Sequence, residues 1–437
     1  MQTEAVPTAI RSKVVGFEFQ DLECQQWQFF LLPQPTADNS GVLPLPEPFV
    51  HALNHARVWL GYSEQEVPLP REFSYDPARS IQIVPTAPIE TLVVPAETTI
   101  WHPVDDHQRT WKPCILLDTC CLQLGVSREG ALETHHINAL MQAFCDISDK
   151  LQPCVERTPD IYLGSAECWC LKFTGGEPNE NIVRQLLQQL PPSKFPTHGY
   201  LLFRTQGGLL ALYPDRLSAF LLYADEQIEP MSLLLHHIMP SLMLNLVKER
   251  YLWTRYHQIK WDTRSVKDHL ETLMHASWIT RRPSLVRIER RNIETTRALE
   301  KYIELISRIE ESAHTLSVAR TNIMLLLRHP LWRDNADSQP AKALLEGIQL
   351  HIDQMRSDLY YFYTTREQIN LHLQSLRTAS SVQNQQWSRL FTIAIGLLSG
   401  AEIAQLLGAE GLNLLMVFVG VGIGLWMLNS LLARLRL

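Results

Sequence analysis

The chain has 437 residues, a formal charge of −7, 46% hydrophobic residues and eight cysteines. The charge is spread over segments of mixed sign, which leaves no basic stripe and excludes nucleic acid as a partner class. All the cysteines fall between Cys24 and Cys170, at spacings that make neither a small disulfide framework nor a CxxC pair, so reduced and mostly buried thiols in a cytosolic domain are expected.

The opening residues hold no apolar core of signal-peptide length, so the large N-terminal part is expected to stay inside the cell. Up to residue 230 proline is frequent and the apolar runs are short. Segments 13–19, 28–32, 81–84, 91–94, 114–124, 168–173, 200–204 and 209–213 read as strands from their apolar and aromatic content. The last two flank Thr205-Gln206-Gly207-Gly208, a hairpin turn. Helical patterns over 132–151 and 181–190 make this part mixed α and β, and the proline-rich stretch 32–48 reads as an irregular connector.

Beyond residue 230 the strand signals stop and three long helical stretches follow. The first covers 231–278, with Pro240 kinking or starting it; the second runs from Pro283 to His329; the third starts near Pro340 and meets no breaker. Apolar residues recur in steps of three and four. In the third stretch they are Leu345, Ile348, Ile352, Met355, Leu359, Phe362, Ile369, Leu373 and Leu376, with Arg366 on the same seam. The second carries Ile288, Leu299, Tyr302, Ile306, Ile309, Ala313, Leu316, Ile323 and Leu327, with Asn292, Thr295 and Arg320 among them. The first ends with Leu252, Tyr256, Ile259, Thr263, Val266, Leu270 and Leu273 in the same spacing. A helix of the second stretch's length measures roughly 70 Å, too long for a compact domain, so the three are expected as antiparallel neighbours in a stalk. Such a stalk is either self-contained or assembled from several copies, with Asn292, Arg320 and Arg366 fixing the register.

The chain closes on two apolar stretches, 387–407 and 412–433, joined by Gly408-Ala409-Glu410-Gly411. Each is long enough to cross a hydrocarbon core as a helix. Arg377 and Arg389 precede the first, Arg434 and Arg436 follow the second, and the connector carries only Glu410, so both termini are expected on the cytoplasmic side. Trp387, Arg389, Arg434 and Arg436 are the expected interface anchors. Gly396 with Gly400, and Gly420 with Gly424, give each span a GxxxG pair for close helix packing. Glu402, Gln405, Glu410 and Asn413 are the polar residues in or beside the spans. A carboxylate at membrane depth costs on the order of 3 kcal/mol unless it faces water or a partner, so Glu402 either belongs to a ring in an oligomeric pore or sits near the outer head groups.

Other chemistry-bearing groups have structural explanations. Cys168 and Cys170 fall on one face of a strand, Cys120-Cys121 adjoin another, and neither has zinc-ligand spacing. The loop from His102 to His107 and the pair His135-His136 lack a second half for a metal site. Pairing Cys120 or Cys121 with His198 gives the reverse of the caspase order, and no Gly-rich phosphate loop is present.

This order of parts resembles the CorA-type magnesium transporter superfamily: an α/β domain, long antiparallel helices, a stalk helix feeding the first span, and a second span with a short basic tail. The Gly-Met-Asn signature of that family would fall at Gly408-Ala409-Glu410, where only the glycine is kept, and the acidic outer loop of the family is missing. The resemblance implies a homo-oligomer, commonly a pentamer, with the first spans lining a central path through a bacterial inner membrane. In layout alone the chain is also similar to the caspase- and tetratricopeptide-associated proteins of bacterial conflict systems.

The expected architecture is an α+β cytosolic domain over 1–230, a long antiparallel, coiled-coil-like stalk over 231–386 and a two-helix transmembrane hairpin over 387–437. The expected function is non-enzymatic: a homo-oligomer whose cytosolic domain and stalk control a membrane ion path. The alternative is a membrane-tethered adaptor or effector whose hairpin only anchors it and whose soluble domain binds a protein or a small ligand. The lipid bilayer is the partner in both, and no cofactor or metal is expected.

Overall fold

The computed structural model describes residues 19–31, 42–61, 72–74, 90–91, 99–102, 107–116, 119–132, 140, 161–174, 176–188, 195–276, 285–334, 336–406, 420 and 422. They form two compact units, one of 1–258 with 310–356 and the other of 259–309 with 357–437.

The first unit is built on a nine-stranded sheet. In chain order its strands are β1 (Phe19–Leu31), β4 (Glu90–Thr91), β5 (Thr99–His102), β6 (His107–Leu116), β7 (Thr119–Ala131), β8 (Tyr162–Phe173), β9 (Leu201–Arg204), β10 (Gly208–Tyr213) and β11 (Ser218–Ala224). Strands β2 (Val42–Pro44) and β3 (Glu72–Ser74) pair separately. The sheet order is β4-β6-β7-β1-β8-β11-β10-β9, with β5 also on β6; β8 and β11 run parallel and the other pairs antiparallel. Asp21 sits at a bulge in β1 with φ 45°, a conformation costly for a non-glycine residue. Its carboxylate holds it there, accepting from Gly130 N at 2.6 Å and Lys172 Nζ at 2.8 Å.

From Cys24 to Phe30 every residue of β1 is buried, so the central strand is covered on both faces. One face packs on α1 (Glu47–Trp59), α2 (Glu180–Leu187) and Phe195 beyond it, with Phe30 5.4 Å from Phe49 and Trp169 6.1 Å from Phe195. α1 lies partly in the stretch expected to be irregular: Pro48 is in its first turn, where the missing N–H costs nothing. Helix α2 starts where Asn179 caps Ile182 N at 3.1 Å.

The other face is covered by the start of the long helices. α3 (Ile228–Leu233) passes through a π-turn, Leu234–Ile238, into α4 (Met239–Ala276). Pro240 lies just beyond that turn, whose wider winding accommodates a residue unable to donate to the preceding carbonyl. Leu234, Met239, Leu242, Met243 and Val247 are fully buried, and a Cβ on Gly164 of β8 would stand 3.0 Å from Val247 Cγ1. Strand β9 and its hairpin turn are closed by the connector between α5 (Leu285–Leu326) and α6 (Gln339–Leu406). Gln206 N donates to Leu331 O at 2.8 Å, Arg333 N to Arg204 O at 2.9 Å, and Trp332 stacks edge-on against Phe203 at 5.6 Å.

The expected helical seams are buried. Tyr256, Thr263, Leu270, Tyr302, Ile309, Leu316, Ile323, Ile352, Met355, Phe362 and Ile369 are all at most 1% exposed. In the first unit Asn322 Nδ2 donates to Asn245 Oδ1 at 3.3 Å and Arg320 Nε to Leu345 O at 3.3 Å, while His351 stacks on Trp253 and pairs with Glu249 at 2.5 Å. Burial pushes the Glu249 carboxyl above its ordinary value, against the pull of His351. In the second unit Lys260 pairs with Asp358, Lys267 with Tyr361 and Glu271, and Tyr302 donates its hydroxyl to Phe362 O at 3.2 Å.

One helical stretch among the described residues, Ile228–His275, is long and apolar enough to cross a membrane, and 67% of its apolar window is buried inside the protein. A core helix satisfies the same measure. Of the expected hairpin, α6 carries the first stretch to Leu406 as unbroken helix and Gly420 and Gly422 are helical; the rest lies outside the described residues.

The connector makes a direct prediction. Trp332→Ala should destabilise the chain by about 3–5 kcal/mol, as for other buried aromatic truncations, and Trp332→Phe by less. Denaturant unfolding followed by fluorescence would measure both; equal midpoints for Trp332→Ala and the parent chain would show that this contact closes nothing.

Candidate functional site

The seam that organises the helices changes character near its end in the second unit. It reaches Leu376 as apolar residues, and from Arg377 to Gly396 no residue of α6 is buried. Over this length α6 and the start of α5 form a groove of about 480 Å³ lined by Asn292, Arg377, Ser380, Ser381, Asn384, Gln385 and Ser388. The α6 members recur in steps of three and four, so they occupy one side of the helix, where the apolar seam would otherwise continue.

Three side-chain atoms in this part of the unit are sealed from solvent with no hydrogen-bond partner among the described residues: Asn292 Oδ1, Thr295 Oγ1 and His372 Nε2. An unpaired buried polar atom costs about 1–3 kcal/mol, so three together mark a place where packing is not the only requirement. Burial, reinforced by the nearby Arg291, lowers the His372 pKa below its ordinary 6.5.

Past the groove, Trp387, Phe391 and Ile395 are 53%, 67% and 57% exposed at steps of four. Arg389 follows Trp387 on the exposed helix, and a Cβ on Gly396 or on Gly420 would meet nothing within 4 Å. Gly400, Glu402 and Gln405 are helical, and the side chains of Glu402 and Gln405 lie outside the described residues, as do Glu410, Asn413, Gly424, Arg434 and Arg436 entirely. The structure therefore brings Trp387, Arg389 and Gly396 onto one exposed helix.

The three polar seam residues part company. Arg320 is satisfied inside the first unit by Leu345 O, Arg366 lies over the Tyr363 ring at 4.7 Å, and Asn292 alone faces the groove.

The sheet unit holds two further polar features. On the face covered by the π-turn, Gln123 Nε2 donates to Gln25 Oε1 at 3.0 Å and Gln25 Nε2 to Glu23 Oε1 at 2.6 Å, with His236 3.7 Å from Glu23. This chain of polar groups fixes the turn against the sheet. A cleft of about 600 Å³ beside β9 and α2 is lined by Glu177, Glu180, Arg204, Gln206, Gln227 and Arg333 among others, and Arg333 is already engaged by Gln206 O and Glu177.

Cys24, Cys120, Cys121, Cys168 and Cys170 are buried free thiols, and Cys168 and Cys170 share a face with sulfurs 3.8 Å apart. Burial pushes the Cys170 thiol well above its usual range, away from nucleophilic or ligating thiolate. His102 and His107 are cross-strand partners, and His107 Nε2 accepts from Arg109 Nε at 3.1 Å. No cluster of three or more His, Cys, Asp or Glu residues suited to a metal occurs among the described residues.

No family model, curated protein or solved structure matches the chain.

The groove was missed in the sequence, where 380–387 reads only as a passage into the first span. Its signal was present: serines and amides replace leucines and isoleucines at unchanged spacing.

The half-buried His372 has a pH consequence. The unfolded chain takes up this proton near 6.5 and the folded chain only at lower pH, so stability falls as pH drops below 6.5 toward the folded value. His372→Gln should reduce the loss of stability between pH 7.5 and pH 5.5 while changing little at pH 7.5. Denaturation midpoints at the two pH values test this, and an unchanged pH dependence would remove His372 from it.

Proposed function

We propose that this chain is a membrane-tethered protein in which the sheet unit and the helical stalk are displayed at a bilayer by the hairpin 387–433. The observation that carries the proposal is the apolar end of α6, helical to Leu406, with Trp387, Phe391 and Ile395 exposed among the described residues. Exposed apolar side chains along a helix are stabilised by an apolar surrounding, and a bilayer supplies one over the length of this segment. Trp387 and Arg389 then mark the inner interface.

Of the two roles open to such a protein, the tethered adaptor or effector is better supported than an ion path. The apolar seams that would join copies around an axis are filled by the chain's own helices. The sheet unit, with its mixed-charge cleft beside β9, is the part that would meet a protein or small-ligand partner. Its chemistry in this proposal is binding, with no enzymatic step.

A second reading, a CorA-like ion path in a homo-oligomer, is favoured by one feature. Glu402 and Gln405 are three residues apart on α6, hence on the same side of the helix, and a carboxylate at that depth needs water or a partner.

The tether predicts that the full chain stays in the membrane pellet after alkaline carbonate extraction and that a chain ending at Gln386 is released. Recovery of the full chain in the supernatant would sink the membrane reading. For the ion path, Glu402→Gln should change cation flux in reconstituted vesicles several-fold; unchanged flux, or none in the parent protein, would leave the tether alone.

A further inference from the structure

We propose that the groove at the base of the membrane segment is a binding site for a phosphorylated lipid head group. The inference rests on the membrane reading above, and it concerns what α6 and α5 hold just before the bilayer rather than how the chain is anchored.

Three observations converge on it. The groove is lined by polar side chains alone, at the one place where two adjacent helices would be expected to continue an apolar seam. Hydrophilic side chains at seam positions weaken helix packing unless something polar occupies the space between them. The lining also has the composition of a phosphate site: the Arg377 guanidinium for the anion, and the hydroxyls of Ser380, Ser381 and Ser388 as further donors. Finally, Asn292 lines the same groove from α5, and its amide N–H is a further donor for a phosphate oxygen.

The position along α6 selects a lipid over other phosphate esters. Residues 377–388 span roughly 16 Å of helix, and Trp387 and Arg389 stand at its upper end. If those two mark the hydrocarbon boundary, Asn384, Gln385 and Ser388 fall in the head-group layer, which is about 5–8 Å deep on each side. Arg377 lies on the near side of that layer and is the cation among the residues lining the groove. Phosphate chemistry is shared with free anions, so the source has to be separated experimentally.

The experiment uses the full chain in detergent, stripped of lipid and titrated with short-chain phosphatidylglycerol, phosphatidylethanolamine or inorganic phosphate, with thermal stabilisation and retained lipid mass as readouts. Phosphatidylglycerol or phosphatidylethanolamine should stabilise the parent chain, and Arg377→Gln should raise the half-saturating concentration roughly ten- to hundredfold, the loss of one charge-assisted contact. Asn292→Ala should weaken binding, Arg377→Lys should restore most of it, and Arg356→Gln, an exposed change on the same helix outside the groove, should leave it unaltered. Equal binding by Arg377→Gln and the parent, or equal weakening by Arg356→Gln, overturns the site. Stabilisation by inorganic phosphate at the same concentrations as by lipid overturns the lipid assignment in favour of a free anion. Carbonate extraction of the same variants separates failures: a chain that stays in the pellet but does not distinguish the probes loses only the groove, whereas one that leaves the pellet loses the tether as well.

Discussion

A sheet buried on both faces needs two covers, and among the described residues short helices supply only one. The second cover is the beginning of the first of its long helical runs, from Met231 to Val247, laid against β1, β7 and β8. Within this unit the later helices are set by that contact. The π-turn at 234–238 places His236 against Glu23 and Gln123, and the buried Asn245 beyond it is met by Asn322 of α5. Leucine or methionine in these positions would bury as much apolar area but would tolerate sliding; the amide pair tolerates one register.

How much of this was legible depended on the distance over which the information is stored. Helical seams are local, with the next member three or four residues away, so α5 and α6 could be drawn from Ile288 to Leu327 and from Leu345 to Leu376, and burial follows that drawing. The hairpin of β9 and β10 is equally local, and Thr205 N closes its turn on Gly208 O at 2.8 Å. Strand 114–124 is in fact the end of β6 and the start of β7, since an apolar run continuing through a turn has no periodicity to show the break. α1 was hidden by prolines that are harmless at a helix start, and β11 by the adjoining helical pattern. The network of Gln25 and Gln123, 98 residues apart, could not be read, because its meaning comes from strand register alone.

The groove shows a different limit. Serine and asparagine at 380–388 read only as a helical passage into the first span, and helix packing gives no reason for them. They gain a reason only when the partner helix, Asn292 across the groove and the end of the apolar seam are seen together. The same polar positions that relax the bundle also let α6 leave it, so a loss of packing and a gain of polar surface are one event in the sequence.

The connector that closes β9 has a consequence for synthesis. Arg204 N waits for the carboxylate of Asp334, 130 residues downstream, and the Trp332 ring that covers Phe203 is equally late. At 5–20 residues per second the edge of the sheet stands open for roughly 6–26 s while the intervening helices are made. An open strand edge recruits other strands. β9 is only four residues long and ends in Arg204, features that slow such recruitment until the chain's own return arrives.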